Sequence, residues 1–272
     1  MRKLTKINKI YLFRSIGRIV CFVIISILTL IEMFSEVNIN LQETLEGWGF
    51  FKTISPLHIV WILLMHYMII DLFNTKVRHP GSAKTFGARY IEKEYNKEEL
   101  KRTKKFYDKG ALYTALSFGA LNVAIGAVCF IVKYFDLFNF QENSGKYGLI
   151  LLVIQMFYFA SDFICVMFFC PFQSWMMKNR CCRTCRIFNW GAVMIEIPMI
   201  MYIFLFGPSF YAISLSVMGI VMFLKWEITL LKHPERFFQV SNEYLSCKTC
   251  KDPFCKIKRK VNSKYRNENK IL

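Results

Sequence analysis

The chain has 272 residues, 54% hydrophobic and 17% aromatic, and carries 36 Lys and Arg against 19 Asp and Glu, a formal charge of +17. That composition excludes a disordered chain, a collagen-like chain and a disulfide-stapled miniprotein. The apolar residues lie in long blocks between charged blocks, with a mean hydropathy of +0.31, so the pattern puts the bilayer rather than water around the chain.

A spanning helix needs about 20 mostly apolar residues, because the hydrocarbon layer is about 30 Å thick and a helix rises about 1.5 Å per residue. Six windows meet this in chain order: Ser15 to Phe34, Leu57 to Phe73, Ala111 to Lys133, Gly148 to Phe169, Asn189 to Phe206 and Ser209 to Leu231. The second and fifth are short and carry ionisable side chains. The expected fold class is therefore all-α, a polytopic membrane helix bundle with six transmembrane helices. Residues 1–231 form the spanning domain and residues 232–272 a basic, cysteine-rich tail.

The first window follows Arg2, Lys3, Lys6 and Lys9, as a signal peptide would. Its apolar run is longer than a signal core, and Glu32-Met33-Phe34-Ser35-Glu36 is no small-residue cleavage site, so it reads as a retained anchor.

Lys and Arg are retained on the cytoplasmic side of an inserted chain. The tail to Arg18 has 6, the segment 75–110 has 11, the segment 170–188 has 4 and everything from Lys225 onward has 12, leaving Lys52, Lys133 and Lys146 for the other side. Both termini are expected in the cytoplasm, a parity that six crossings satisfy, in a cell membrane; the Lys, Asn and Ile bias suggests a bacterial one. Charge divided among four membrane-flanking segments is what insertion requires. It speaks against a nucleic-acid partner and for anionic lipid headgroups.

Within the insert 74–110, the stretch Ile91 to Tyr107 places Ile91, Tyr95, Leu100, Thr103 and Phe106 near one side of a helix. This predicts an interfacial cytoplasmic helix, with a docking surface for a protein partner as the alternative.

Cysteine carries the first chemical signal. Cys21, Cys129 and Cys165 fall within crossings, whereas Cys170, Cys181, Cys182 and Cys185, then Cys247, Cys250 and Cys255, fall in two short segments assigned to the reducing cytoplasm. Cys182-x-x-Cys185 and Cys247-x-x-Cys250 supply two thiolate pincers, the set that suits tetrahedral zinc or an iron-sulfur cluster. The hairpin of crossings five and six returns them to one face, with Cys170, Cys181, Cys255, His79 and His233 as further candidate ligands. The competing reading is free or S-acylated thiols at the membrane edge.

Ionisable groups at membrane depth carry the second signal. His66, Asp162 and Glu196 each lie seven residues inside a provisional crossing end, so all three are expected about 10 Å below the cytoplasmic edge, in one polar layer. Such a layer could relay protons, coordinate a cation or hold a quinone-like head group. Otherwise it is a structural network joining helices, with Tyr158 and Ser161 as local partners. Pro198 removes a helix donor beside Glu196.

His79-Pro80 and His233-Pro234 terminate helices in their plain reading. Arg78-His79-Pro80 resembles, over three residues, the Arg-His-Pro element of membrane methyltransferases of the isoprenylcysteine type, with Ser82 where that element has an aromatic residue; the resemblance implies a cofactor-binding loop. No catalytic triad order, phosphate-cradling Gly-rich loop, EF-hand or HExxH occurs.

The expected function is a multi-pass membrane protein with a cytoplasm-facing zinc or iron-sulfur site, of redox or electron-transfer class. The rivals are an ion or small-solute transporter using the His/Asp/Glu layer, and a non-catalytic assembly or sensor subunit.

Overall fold

The computed structural model describes residues 6–35, 37–73, 90–136, 144–177, 185–187 and 190–246. Helices dominate: α1 (Lys6–Phe34), the short α2 (Leu41–Leu45), α3 (Leu57–Phe73), α4 (Lys97–Tyr134), α5 (Ser144–Met167), α6 (Gly191–Phe206) and α7 (Phe210–Lys232). Among the described residues no strand forms, and the only β pairing is an isolated bridge between Glu92 and Asn242.

Four stretches, Leu12–Phe34, Lys97–Tyr134, Gly145–Val166 and Phe210–Lys232, are long and apolar enough to cross a membrane, and α3 and α6 are shorter apolar helices of 17 and 16 residues. Large apolar side chains stand outward along them, Phe13 at 78% exposure and Phe204 at 83% among them. A water-soluble domain does not present so continuous an apolar surface, whereas lipid solvates it without cost. The chain is a helical membrane protein.

The long helices alternate in direction, which gives the bundle a proximal end, where α1 begins and α7 finishes, and a distal end. α5 is the central element, packed on α1 and α6, and α7 closes against α6. The core is apolar and tight, with Leu64, Leu149, Leu152, Met156, Met199, Ala212 and Leu215 fully buried. α4 stands at the side, and most of its apolar surface is exposed.

The distal end is pinned by a charge-assisted cap. Asn40 adopts the left-handed region (φ 63°), turning the chain back so that the Glu32 carboxylate accepts the amides of Leu41 at 2.9 Å and Gln42 at 2.7 Å, at the start of α2. Phe50, Phe51, Trp48, Trp61 and Phe210 then pack as one aromatic group, where His58 bonds the Phe50 carbonyl at 2.8 Å. A Cβ at Gly49 would overlap the Glu43 carbonyl.

α4 differs from the expected interfacial helix followed by a separate crossing. Asn96 caps it, accepting the Glu98 amide at 2.8 Å, and the helix continues unbroken through Gly110 for 38 residues, about 57 Å of axis. Gly110 is the contact point, since a Cβ there would lie 3.0 Å from the Met177 Cα. Residues 90–96 are not helical but run beside the C-terminal segment, where the Glu243 amide bonds the Ile91 carbonyl at 2.9 Å. The docking face is accordingly Tyr95, Leu100 and Tyr107 against Trp226, Leu230, Phe237 and Phe238, with Ile91 and Phe106 half exposed.

Candidate functional site

α5 turns Gln155, Phe159 and Asp162 inward at helical spacing, and two separate polar nodes grow from that stripe. The first lies near the proximal end. Arg18 of α1, 8% exposed, donates to Asp162 Oδ2 at 2.9 Å and to the Phe159 carbonyl at 3.2 Å. Its guanidinium is enclosed by the rings of Tyr67, Phe159 and Phe163 at 4.4, 4.1 and 4.0 Å. Tyr67 shares hydrogen bonds with Arg18 and with Asp71. One cation thus joins α1, α3 and α5, its charge answered by carboxylates and its faces by π-systems.

The second node lies deeper. Glu196 of α6 is fully buried, and its Oε2 accepts from Gln155 Nε2 at 2.6 Å, while Tyr211 of α7 donates to Gln155 Oε1 at 3.2 Å. Gln155 and Tyr211 are also fully buried. Glu196 Oε1 has no hydrogen-bond partner among the described residues. Gly219 of α7 makes room for the carboxyl, since a Cβ there would stand 3.1 Å from Glu196 Cγ.

The three residues expected in one layer are therefore placed apart. Asp162 lies level with Gly191, whose added Cβ would sit 3.3 Å from Oδ1; Glu196 is five residues further along α6, about 7.5 Å deeper. His66 stands on the exposed face of α3, while its neighbour Tyr67 turns inward. Tyr158 bonds Asn122 of α4 at 3.1 Å rather than either node.

A third cluster forms at the proximal surface. Arg186 bridges Asp108 of α4 and Glu227 of α7, the latter at 2.8 Å, and Trp190 Nε1 donates to the other Glu227 oxygen at 2.8 Å. Lys104 also pairs with Asp108, at 3.4 Å. Cys185 is buried with its Sγ 3.7 Å from Met177 Sδ, and Cys170 Sγ accepts the Gln173 amide at 3.4 Å at the head of a π-helical turn, Phe172–Met176. Cys181, Cys182, Cys247, Cys250, Cys255 and His79 lie outside the described residues. His233 ends α7 and pairs with Glu235 at 3.2 Å. Among the described residues no group of three or more His, Cys, Asp or Glu could hold a metal ion.

At the distal end, Glu46, Phe130, Lys133, Tyr134, Tyr202 and Phe206 border a cavity of about 720 Å³. Lys133 reaches the Leu205 carbonyl there, tying α4 to the end of α6.

Sequence reasoning missed Arg18, Tyr67, Gln155, Tyr211, Asp108 and Glu227. The available signal was spacing: Ser15, Arg18, Ile25 and Thr29 fall on one buried stripe of α1, so Arg18 belongs to a packing face rather than to a tail. Comparison with known proteins returns no matching family model, no matching curated protein and no matching solved structure.

Proposed function

We propose that this is a six-crossing protein of the cell membrane, with both termini in the cytoplasm, whose two cysteine-rich segments close around zinc or an iron-sulfur cluster at the proximal face. For the crossing number, α3 and α6 are each about 25 Å long, and both run the depth of the bundle. α3 starts beside the distal aromatic group and ends where Lys225 reaches the Leu72 carbonyl; α6 runs from Asp162 to the Lys133 contact at Leu205.

The observation that carries the metal reading is the convergence of the two segments' flanks on a single turn of α4. Arg186, next to Cys185, is held by Asp108, while Tyr107 stacks on Phe238 at 5.5 Å, in the segment leading to Cys247. The described flanks of the two pairs, Arg186 and Phe238, thus meet α4 on adjacent residues, which supports the reading although 62 positions of sequence separate Cys185 from Cys247. Thiolates gathered at such a place are stabilised by a shared cation.

Metal analysis and a visible spectrum of anaerobically purified protein test the reading. Stoichiometric zinc with no colour is expected for a structural or sensing role, and stoichiometric iron with brown colour for electron transfer. In both cases the metal is lost in Cys182→Ser/Cys247→Ser. Metal-free wild-type protein overturns it.

A further inference from the structure

The deep node has a property that the metal reading does not use. Glu196 is fully buried at the meeting of α5, α6 and α7, and Oε2 is its only bonded oxygen among the described residues. Ser216 of α7, 4% exposed, likewise has an unpartnered hydroxyl among them. It lies one turn from Gly219, and Gly219 is where the Glu196 side chain meets α7. Two buried oxygens without a partner among the described residues thus belong to the packed pair α6 and α7, Ser216 one helical turn from the glycine that Glu196 meets.

Burying a polar oxygen without a partner in a low-dielectric interior is costly, and both of these atoms can accept. What satisfies them is a cation or a donor. A single carboxylate balances a single positive charge, while the buried cation Arg18 is already engaged by Asp162. The seam is tight at Gly219, where an added Cβ would stand 3.1 Å from Glu196 Cγ, which favours a small ion.

We propose that Glu196, with Gln155, Tyr211 and Ser216 around it, forms an intramembrane site for one small monovalent cation of sodium size. Gln155 fixes one carboxylate oxygen and Tyr211 fixes Gln155, leaving Oε1 aimed at the ion; the Ser216 hydroxyl supplies a second ligand oxygen.

Thermal unfolding of the purified full chain in lipid nanodiscs tests this, with sodium chloride exchanged for choline chloride at constant ionic strength. The midpoint is expected to rise saturably with sodium and not with choline, and the rise to vanish in Glu196→Gln. A wild-type midpoint that does not distinguish the two salts overturns the site, as does a sodium response retained in Glu196→Gln. Should that variant not fold, Ser216→Ala is expected to weaken the apparent sodium affinity three-fold or more, and unchanged affinity overturns the site. Cys182→Ser/Cys247→Ser separates this inference from the metal reading, because a protein without zinc or iron keeps its sodium response.

Discussion

Arg18 shows how much one side chain inside the bundle can decide. Its guanidinium is buried among three rings and joined to Asp162, so removing the carboxylate leaves a charge in a low-dielectric site with only neutral partners on that side. Breaking a buried pair from one side costs about 3–5 kcal/mol in soluble proteins. Asp162→Asn is expected to lower unfolding stability by about 3 kcal/mol, and Arg18→Lys by about 1–2 kcal/mol, because a lysine keeps the charge but loses the planar stacking and the fork. Unfolding in sodium dodecyl sulfate, with the Arg18→Lys/Asp162→Asn double variant to close the cycle, measures both losses; purely additive effects contradict the pairing. The same residue marks where reading the sequence stopped. Asp162 and Glu196 announce themselves as carboxyls inside apolar windows, but Arg18 sits where basic residues of a tail end and was counted as one. His66 and Tyr67 are adjacent, and hydropathy alone cannot say which of two neighbours, about 100° apart on the helix, turns inward.

At the scale of elements, apolar length was readable and connection geometry was not. All six expected windows correspond to helices, α3 with identical ends, because the bilayer thickness sets a length that the sequence must meet. The unbroken α4 was not readable: Asp108, Lys109 and Gly110 resemble a boundary, yet the glycine is there for the approach of Met177, and the charged turns before it are bonded at the proximal surface. α2 was not readable either, since five residues are too few to form a helix alone. It exists because Glu32, at the end of α1, satisfies its first two amides. Glu32→Ala removes both bonds and the favourable interaction with the helix dipole, and is expected to cost about 1–2 kcal/mol. Hydrogen exchange at the Leu41 and Gln42 amides reads it: exchange should rise several-fold there while the core of α5 is unchanged, and unaltered protection would show that the cap is not what holds α2.

At the scale of the whole molecule, the proposed crossing of α3 and α6 is where charge makes the sharpest demand. The segment 75–110 carries 11 Lys and Arg. If α3 crosses, those charges return to the side of the N-terminus; if it does not, they are translocated, against the strong preference for retaining Lys and Arg. Contacts independent of that charge count support the proposed arrangement. Arg186, which precedes α6, bridges Asp108 of α4 and Glu227, near the end of α7, so the charged part of α4 shares an end with the last turns of α7. Both arguments fail together if α3 lies within one leaflet, and reporter fusions distinguish the cases. Alkaline phosphatase fused between residues 74 and 89 is expected to be inactive and a fluorescent protein at the same point to fluoresce, whereas phosphatase fused at Lys52, in the distal connection, is expected to be active. Phosphatase activity from the 74–89 fusion would remove the α3 crossing, and with it the common end on which the cysteine segments are proposed to meet.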